Sequence, residues 1–316
     1  MVFMTSQLYD AQRTKEHIAD LLEKYGVKPH HAQVVSYVLV EADMRGIESH
    51  GINGLPHLII EPIKKELVNL DAEPFFERKS PGCMTLDTLN ANGCLGHVAS
   101  MMAVQRVKSL AGTYGTAKVD VTNSAHFGAA GIYTNKISSG MDLIGQAFCT
   151  TGSIMIPYGG EHPRLGTCAL AWSIPYRHLE TNQAPLEGIV NLDCATATRA
   201  ANVIVKTIRG GDEKLPFEVI DLRTGRVTTA TQDFKTPADF FTYGALMPAG
   251  GLEGRGDSSG YKMGGLAWLI ELQTVPSGGF SPEISRLPSD RKPKQIRQTF
   301  KAEAMGAFKP LEEVLE

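Results

Sequence analysis

Apolar positions recur at helical spacing from the start of the chain. Ile18, Leu21, Leu22 and Tyr25 stand among charged residues over 9–25, and Val34, Val35, Val38, Leu39 and Ala42 continue over 29–45, predicting two amphipathic helices. Gly26 is placed to end the first, and Pro29 suits the first turn of the second. After an apolar run over 55–63 the text breaks into short segments punctuated by Gly, Pro and Asn. Val98, Met101, Met102, Val104, Val107 and Leu110 then give a helix over 97–112 a broad apolar face. Four β-rich runs follow, at 116–121, 143–151, 168–174 and 189–196, with a Gly/Ala-rich helix over 128–139 between the first two. The pattern over 264–273 predicts a further helix, followed by a Pro-rich loop and a charged C-terminal helix. No internal repeat is visible.

This mixture predicts a layered α/β or α+β sheet protein. The crossovers are too irregular for a doubly wound nucleotide fold, and no G-x-G-x-x-G follows a strand. Gly251, Gly254 and Gly256 have a different spacing, so a dinucleotide would have to bind some other fold. At 316 residues, 42% hydrophobic and 21% charged, the chain can bury a sizeable core and reads as globular. A net charge of -3, with 31 Lys and Arg spread along the chain, argues against nucleic acid. Residues 1–10 lack the apolar core of a signal peptide, and no later stretch approaches the roughly 20 apolar residues of a membrane span. Cys83, Cys94, Cys149, Cys168 and Cys194 form no C-x-x-C pair, which fits neither a disulfide framework nor a zinc ribbon and points to a reducing, cytoplasmic compartment. Nor do the nine histidines form an H-E-x-x-H helix or a Cys/His cluster, so no bound metal is expected.

Three constellations can carry chemistry. In 43–51 two glycines flank Ser49-His50 at the end of the second helix, where backbone freedom can hold the imidazole at a cleft edge. His50 then suits proton transfer to a developing alkoxide; the plainer reading is a cation capping the helix C-terminus. In 123–131, N-S-A-H-F-G-A-A-G, Asn123 or Ser124 can cap the small-residue helix, whose free amides make an anion site beside His126. It is equally a tight strand–helix joint with a satisfied histidine. The glycine-rich stretch 250–266 can wrap a phosphate or ribose, with Lys262 as anchor, or be a mobile surface loop.

In their order along the chain these segments resemble the malate/L-lactate/sulfolactate dehydrogenase family. That family is unrelated to the Rossmann lactate dehydrogenases and includes ureidoglycolate dehydrogenase, diketogulonate reductase and piperideine-2-carboxylate reductase. Residues 42–56 are similar to its A-D-x-R-G-x-x-S-H-G segment, 123–131 to N-S-x-H-F-G-A-A-G, and 157–167 to P-x-G-G…L-G-T. Residues 193–196 are similar to the D-x-A-T strand end, 248–266 to P-x-G-G…K-G-x-G-L, and 287–290 to the later P-G-E. The resemblance implies an α/β fold with a mixed non-Rossmann sheet flanked by helices, sulfolactate-dehydrogenase-like. A helical substrate-side region at 1–79, joined in space by 265–316, would face a cofactor-binding sheet domain at 80–264. The implied activity is hydride transfer between NAD or NADP and a small 2-oxo or 2-hydroxy acid, in a homodimer with active sites near the subunit interface. His50 would be the acid/base, ahead of His126, with Ser49 in the same pocket and Asp193 orienting a histidine or the substrate. Cys194, Ala195, Thr196, Tyr261, Lys262, Ser289, Asp290 and Arg291 would contact the dinucleotide.

The departures from the family pattern bear on substrate. After Ser-His-Gly the family usually continues v-x-R-l-p-x-Y, whereas this chain places Gly54 at the arginine and Leu58 at the tyrosine. A bidentate grip on a carboxylate is thereby lost, and Asn53 and His57 compensate only in part. Gly166-Thr167-Cys168-Ala169 replaces G-T-N-P, and the loop 251–261 is longer and more acidic than usual. Reduction of a cyclic imine, and a dinucleotide-binding relative without turnover, are the competing functions; a metal-dependent hydrolase is the remote one.

Overall fold

The first helix pair forms where the apolar spacing places it. α1 (Ala11–Lys24) is capped by Asp10, whose carboxylate accepts from Arg13 N at 2.7 Å, and it buries Ile18, Ala19 and Leu22. Gly26, at φ +87°, turns the chain into α2 (Pro29–Met44), with Pro29 in its first turn. Short 3-10 turns at Glu48–His50 and Ile52–Gly54 lead into a π-helical stretch, Leu55–Ile60, and then α3 (Glu61–Lys64). Leu22, Val35, Leu39, Ile59 and Val98 pack together as the core of this helical layer.

The chain is described from a computed structural model over residues 9–77, 82–178, 186–252, 259–274 and 298–306. After α3 come β1 (Phe75–Glu77), β2 (Leu86–Asn90), α4 (Gly96–Tyr114), β3 (Thr116–Ser124), α5 (Ala130–Ser138), β4 (Leu143–Thr150), β5 (Ala169–His178) and β6 (Leu186–Ala195). The motif-free stretch 201–245 forms α6 (Ala201–Gly210), β7 (Lys214–Asp221), β8 (Arg226–Ala230), α7 (Pro237–Tyr243) and β9 (Gly244–Ala245), and α8 (Gly260–Thr274) and β10 (Gln298–Gly306) follow.

Among the described residues, seven strands form one mixed sheet in the order β1-β2-β3-β10-β4-β5-β6, parallel only between β2 and β3. A small sheet, β8-β7-β9, stands apart. Alternation along β4 divides the large sheet's faces. Ala147 and Cys149 belong to the core built with α4, α5 and Val38 of α2, whereas Phe148 packs with Ile204 of α6 and Ala267 and Ile270 of α8 on the other face. Among the described residues, no helix is long and apolar enough to cross a membrane.

Two expectations are corrected. The charged C-terminal helix is not found at 298–306, which instead forms β10, with backbone partners on both sides: Ala302 pairs with Val119 of β3 and with Ala147 of β4. The second correction concerns α8, which begins at Gly260 rather than 264 and so carries Tyr261 and Lys262 in its first turn. Gly250 and Gly251 adopt φ +90° and +81°, and a Cβ on Gly260 would stand 1.8 Å from Gly251 O, so the helix start is wedged against that turn.

Close packing of α5 on the sheet depends on Gly145, where a Cβ would lie 2.6 Å from Thr134 O. Gly145→Ala is expected to lower stability by about 1–3 kcal/mol, read from the urea midpoint. Gly152→Ala, at a position with nothing within 4 Å of a Cβ, is expected to change it by less than about 0.5 kcal/mol.

Candidate active site

The end of α2 builds the first wall. Asp43 Oδ2 accepts from Ile52 N at 2.9 Å, and a Cβ on Gly51 would overlap the Asp43 carboxylate, so glycine is required for the chain to fold back there. Burial raises the Asp43 pKa, Ile52 N–H opposes the rise, and Glu48 adds to it. From α6, Asn202 Nδ2 donates to Ser49 O at 2.7 Å and anchors the turn. His50 is thereby held off the end of α2, in a 3-10 turn of its own.

Ser49 Oγ and His50 Nδ1 lie 2.9 Å apart, which leaves Nε2 of His50 for a reacting group. The His50 and His126 rings stack at 5.5 Å between centroids and 18° between planes. The first two sequence candidates thus meet in space, although 76 positions separate them in the chain. Gly128 N donates to His126 Nδ1 at 3.2 Å. An imidazolium would present N–H to N–H there, so this bond keeps His126 neutral, with its proton on Nε2. Burial moves both rings the same way: His50 is pushed down to about 4, and His126 falls well below the usual histidine range by burial and the neighbouring imidazoles. Among the described residues no group of three or more His, Cys, Asp or Glu can hold a metal ion.

The second wall is the start of α5. Neither Asn123 nor Ser124 caps it; both lie in β3, and Ala129 holds the cap position without a side-chain bond. The amide expected to be free for an anion is taken instead by Asp193, whose Oδ2 accepts from Gly131 N at 2.7 Å. Gly131 O accepts from Asn191 Nδ2 at 3.1 Å and from Arg45 Nη1 at 3.4 Å, and Arg45 Nη2 also reaches Asn135 Oδ1 at 3.1 Å. Desolvation raises the Asp193 pKa, while Gly131 N–H and Arg45 oppose it. Asp193 therefore ties β6 to the first turn of α5.

The remaining candidates follow Asp193 at the same end of β6. Thr196 is buried; its N and Oγ1 both donate to Thr167 O, at 3.1 and 3.2 Å, and its carbonyl accepts from Ala249 N at 2.8 Å. Through residues 248–251 this strand end meets the first turn of α8. There Tyr261 is exposed, stands edge-on to Tyr158 at 6.2 Å, and lies beneath Lys262 Nζ at 5.8 Å. Cys194 is exposed and Ala195 half-buried. Ser289, Asp290 and Arg291 fall outside the described residues.

This chain belongs to the malate/L-lactate dehydrogenase family. The family's model matches residues 9–316. L-sulfolactate dehydrogenase of Methanocaldococcus jannaschii is 28% identical over 275 residues, covering 86% of this chain and 73% of that protein. Ureidoglycolate dehydrogenase (NAD(+)) of Escherichia coli is 30% identical over 249 residues, covering 77% of this chain and 64% of that protein. A malate dehydrogenase structure from Entamoeba histolytica superposes with a TM-score of 0.77 at 25% identity, covering 98% of this chain and 81% of that one. Matching family members are NAD(+)-dependent in some cases and NADP(+)-dependent in others. The protein is an NAD(P)-dependent oxidoreductase of this family, moving a hydride between the dinucleotide and a small carbonyl or hydroxyl substrate.

The family departures have local causes. A Cβ on Gly54 would stand 2.8 Å from Leu58 Cδ1, so the two positions fill one space between them. Cys168 occupies left-handed backbone at φ +48°, a conformation asparagine tolerates better than most residues, and its carbonyl accepts from Thr196 N at 3.3 Å. Arg45, Asn191, Asn202 and His97 were given no role by sequence reasoning. For His97 a signal existed: it shares the apolar face of α4 with Met101 and Val104, at helical spacing.

Burial also sets a pH dependence. His50 and His97 are pushed down to about 4 and about 3 in the folded chain, whereas in the unfolded chain they take up protons near 6.5. The unfolded state therefore binds more protons between these values, and stability falls as pH drops from about 6.5 toward 4. Urea midpoints are expected to decrease from pH 7.5 to pH 5, and to decrease less in a His50→Gln/His97→Gln double variant.

Proposed function

We propose that His50 is the acid/base of this oxidoreductase and that His126, fixed as the Nε2–H tautomer, is a hydrogen-bond donor to the substrate oxygen rather than a proton carrier. The observation that carries this reading is the Gly128 N–H on His126 Nδ1, set beside a His50 whose Nε2 is left for substrate. The dinucleotide, when bound, would supply the hydride acceptor for a carbinol carbon in oxidation and the hydride donor to a carbonyl carbon in reduction. In oxidation, neutral His50 accepts the hydroxyl proton at Nε2 while Ser49 holds Nδ1. For reduction His50 must first be protonated, which its buried position resists.

Cys194, Ala195, Tyr261 and Lys262 would hold the dinucleotide where the end of β6 meets α8, with Thr196 shaping the strand end. A helix start with an exposed aromatic ring and a cation suits a phosphate and a ribose or base. On this reading 1–79 supplies the substrate side and 80–264 the dinucleotide side. The substrate is a small 2-hydroxy or 2-oxo acid, or a variant whose carboxylate is not gripped by an arginine, because Gly54 and Leu58 leave an apolar surface at that position.

Purified protein should turn over at least one of malate, lactate, L-sulfolactate and ureidoglycolate with NAD+ or NADP+, and His50→Ala should lower kcat/KM by about 100-fold or more. Dinucleotide binding with no turnover of any of these, or of the corresponding oxo acids or a cyclic imine, would defeat the reading. Because His50 is already neutral, oxidative kcat/KM should show no histidine titration between pH 6 and 8, whereas reductive kcat/KM should fall as pH rises through that range.

A cytoplasmic homodimer fits the surface and the thiols. All five cysteines are free. β6 is an edge strand, and on one face Val190 and Leu192, with Ile174 beside them on β5, are 47%, 52% and 39% exposed. Leu192→Asp is expected to convert a dimer to a monomer, measured by light scattering on a sizing column; a monomeric parent protein would overturn this assembly.

A further inference from the structure

The second residue of α4, His97, is 1% exposed, and among the described residues neither its Nδ1 nor its Nε2 has a hydrogen-bond partner. A neutral imidazole carries one N–H and one acceptor, and burying both without partners opposes folding. Leucine would fill a similar volume on this apolar face without that penalty. The neighbours of His97 are the residues of the active site. Its ring centroid lies 6.2 Å from that of His126, with 49° between the planes. A Cβ on Gly128 would stand 3.2 Å from His97 Nε2 and 2.9 Å from Val38 Cγ1, so Gly128, at φ +89°, is clamped between α4 and α2. Gly128 is also the residue whose N–H reaches His126 Nδ1. The titratable groups around the pair are His50, which faces both rings, and His57, which faces His126. Burial lowers the pKa of all four imidazoles, so the cluster is uncharged near neutral pH.

We infer that His97 is a positioning residue of the active site, seating the 126–128 turn through Gly128 and holding the His126 ring and its tautomer in register with His50. This rests on the roles given to His50 and His126 above. Catalytic hydrogen bonds are often long in an unliganded enzyme and tighten when substrate binds. His97 Nε2 lies beside Gly128, whose N–H already reaches His126 Nδ1, and with the ring centroids 6.2 Å apart a small approach of the rings would bring Nε2 toward that same nitrogen. Donation from His97 Nε2, the nitrogen beside Gly128, to His126 Nδ1 would then share that nitrogen's one lone pair with the Gly128 N–H in a three-centre bond, so that Nδ1 stays an acceptor and the His126 proton stays on Nε2. The orphaned donor finds its partner only when His126 is aligned.

The test compares His97→Leu with His97→Gln, which restores a side-chain N–H. Imidazole 15N spectra of the full chain with NADH bound should show His126 as one Nε2–H tautomer in the parent protein and in His97→Gln, and as a mixture in His97→Leu. For whichever of the four hydroxy acids the parent turns over, His97→Leu should lower kcat about tenfold or more, with the dinucleotide KM within about twofold, and His97→Gln should recover most of the loss. A parent protein with mixed His126 tautomers, or a His97→Leu variant matching the parent in spectrum and kcat, overturns the proposal. Should His97→Leu not fold, His97→Met carries the same readouts; failure of both to fold makes His97 a core residue and also overturns it. If His50→Ala keeps full activity, the reading of the site falls, whatever His97 does. If His50→Ala is inactive and His97→Leu is not impaired, only the positioning role falls.

Discussion

One glycine residue carries the geometry of the active site. Gly131 gives its N–H to Asp193 of β6, while its carbonyl accepts from Asn191 of the same strand and from Arg45 at the end of α2. The sheet, α5 and the helical layer therefore converge on a few atoms. A Cβ at this position would stand 2.7 Å from Asp193 Oδ2, so the convergence tolerates no side chain. His50 and His126 hang from its two sides: one follows Arg45 in sequence, and the other precedes α5. Their stacked rings are a consequence of how α2 and α5 are tied together.

On the reading proposed above the two histidines have different duties, and this arrangement supplies the difference. Both rings are crowded by neighbouring atoms, and neither holds a charge readily near neutral pH. What separates them is the partner on Nδ1. A serine hydroxyl can donate or accept, so His50 can change protonation state without losing its bond. A backbone N–H can only donate, so His126 cannot. The chemical difference comes from one hydroxyl and one amide rather than from a difference in burial.

Much of this was legible in the residues themselves. Apolar spacing, Gly26 and Pro29 specified the first helix pair, and the two Gly-flanked histidine motifs marked the residues that come together. The anion site at α5 was misread because its occupant, Asp193, lies 62 residues downstream, beyond the reach of local capping patterns. The helix start at Gly260 was missed because its close approach to Gly251 is a contact between turns, invisible to periodicity. His97 was passed over because a polar residue within an apolar stripe reads as a helix position until its neighbours are known. Likewise β10 draws its partners from 116–124 and 143–150, far upstream.

That last strand has a consequence for how the protein is made. β10 separates β3 from β4 at the middle of the sheet, so until residue 306 has left the ribosome the sheet exists as two three-stranded halves with facing, unpaired edges. The strands of both halves precede in the chain the strand that joins them. Closure must wait for contacts between β10 and strands far upstream, such as Ala302 with Ala147 and with Val119, which slows folding and leaves two open edges available to other chains. The sheet is thus most open to self-association while this nine-residue strand is out of place.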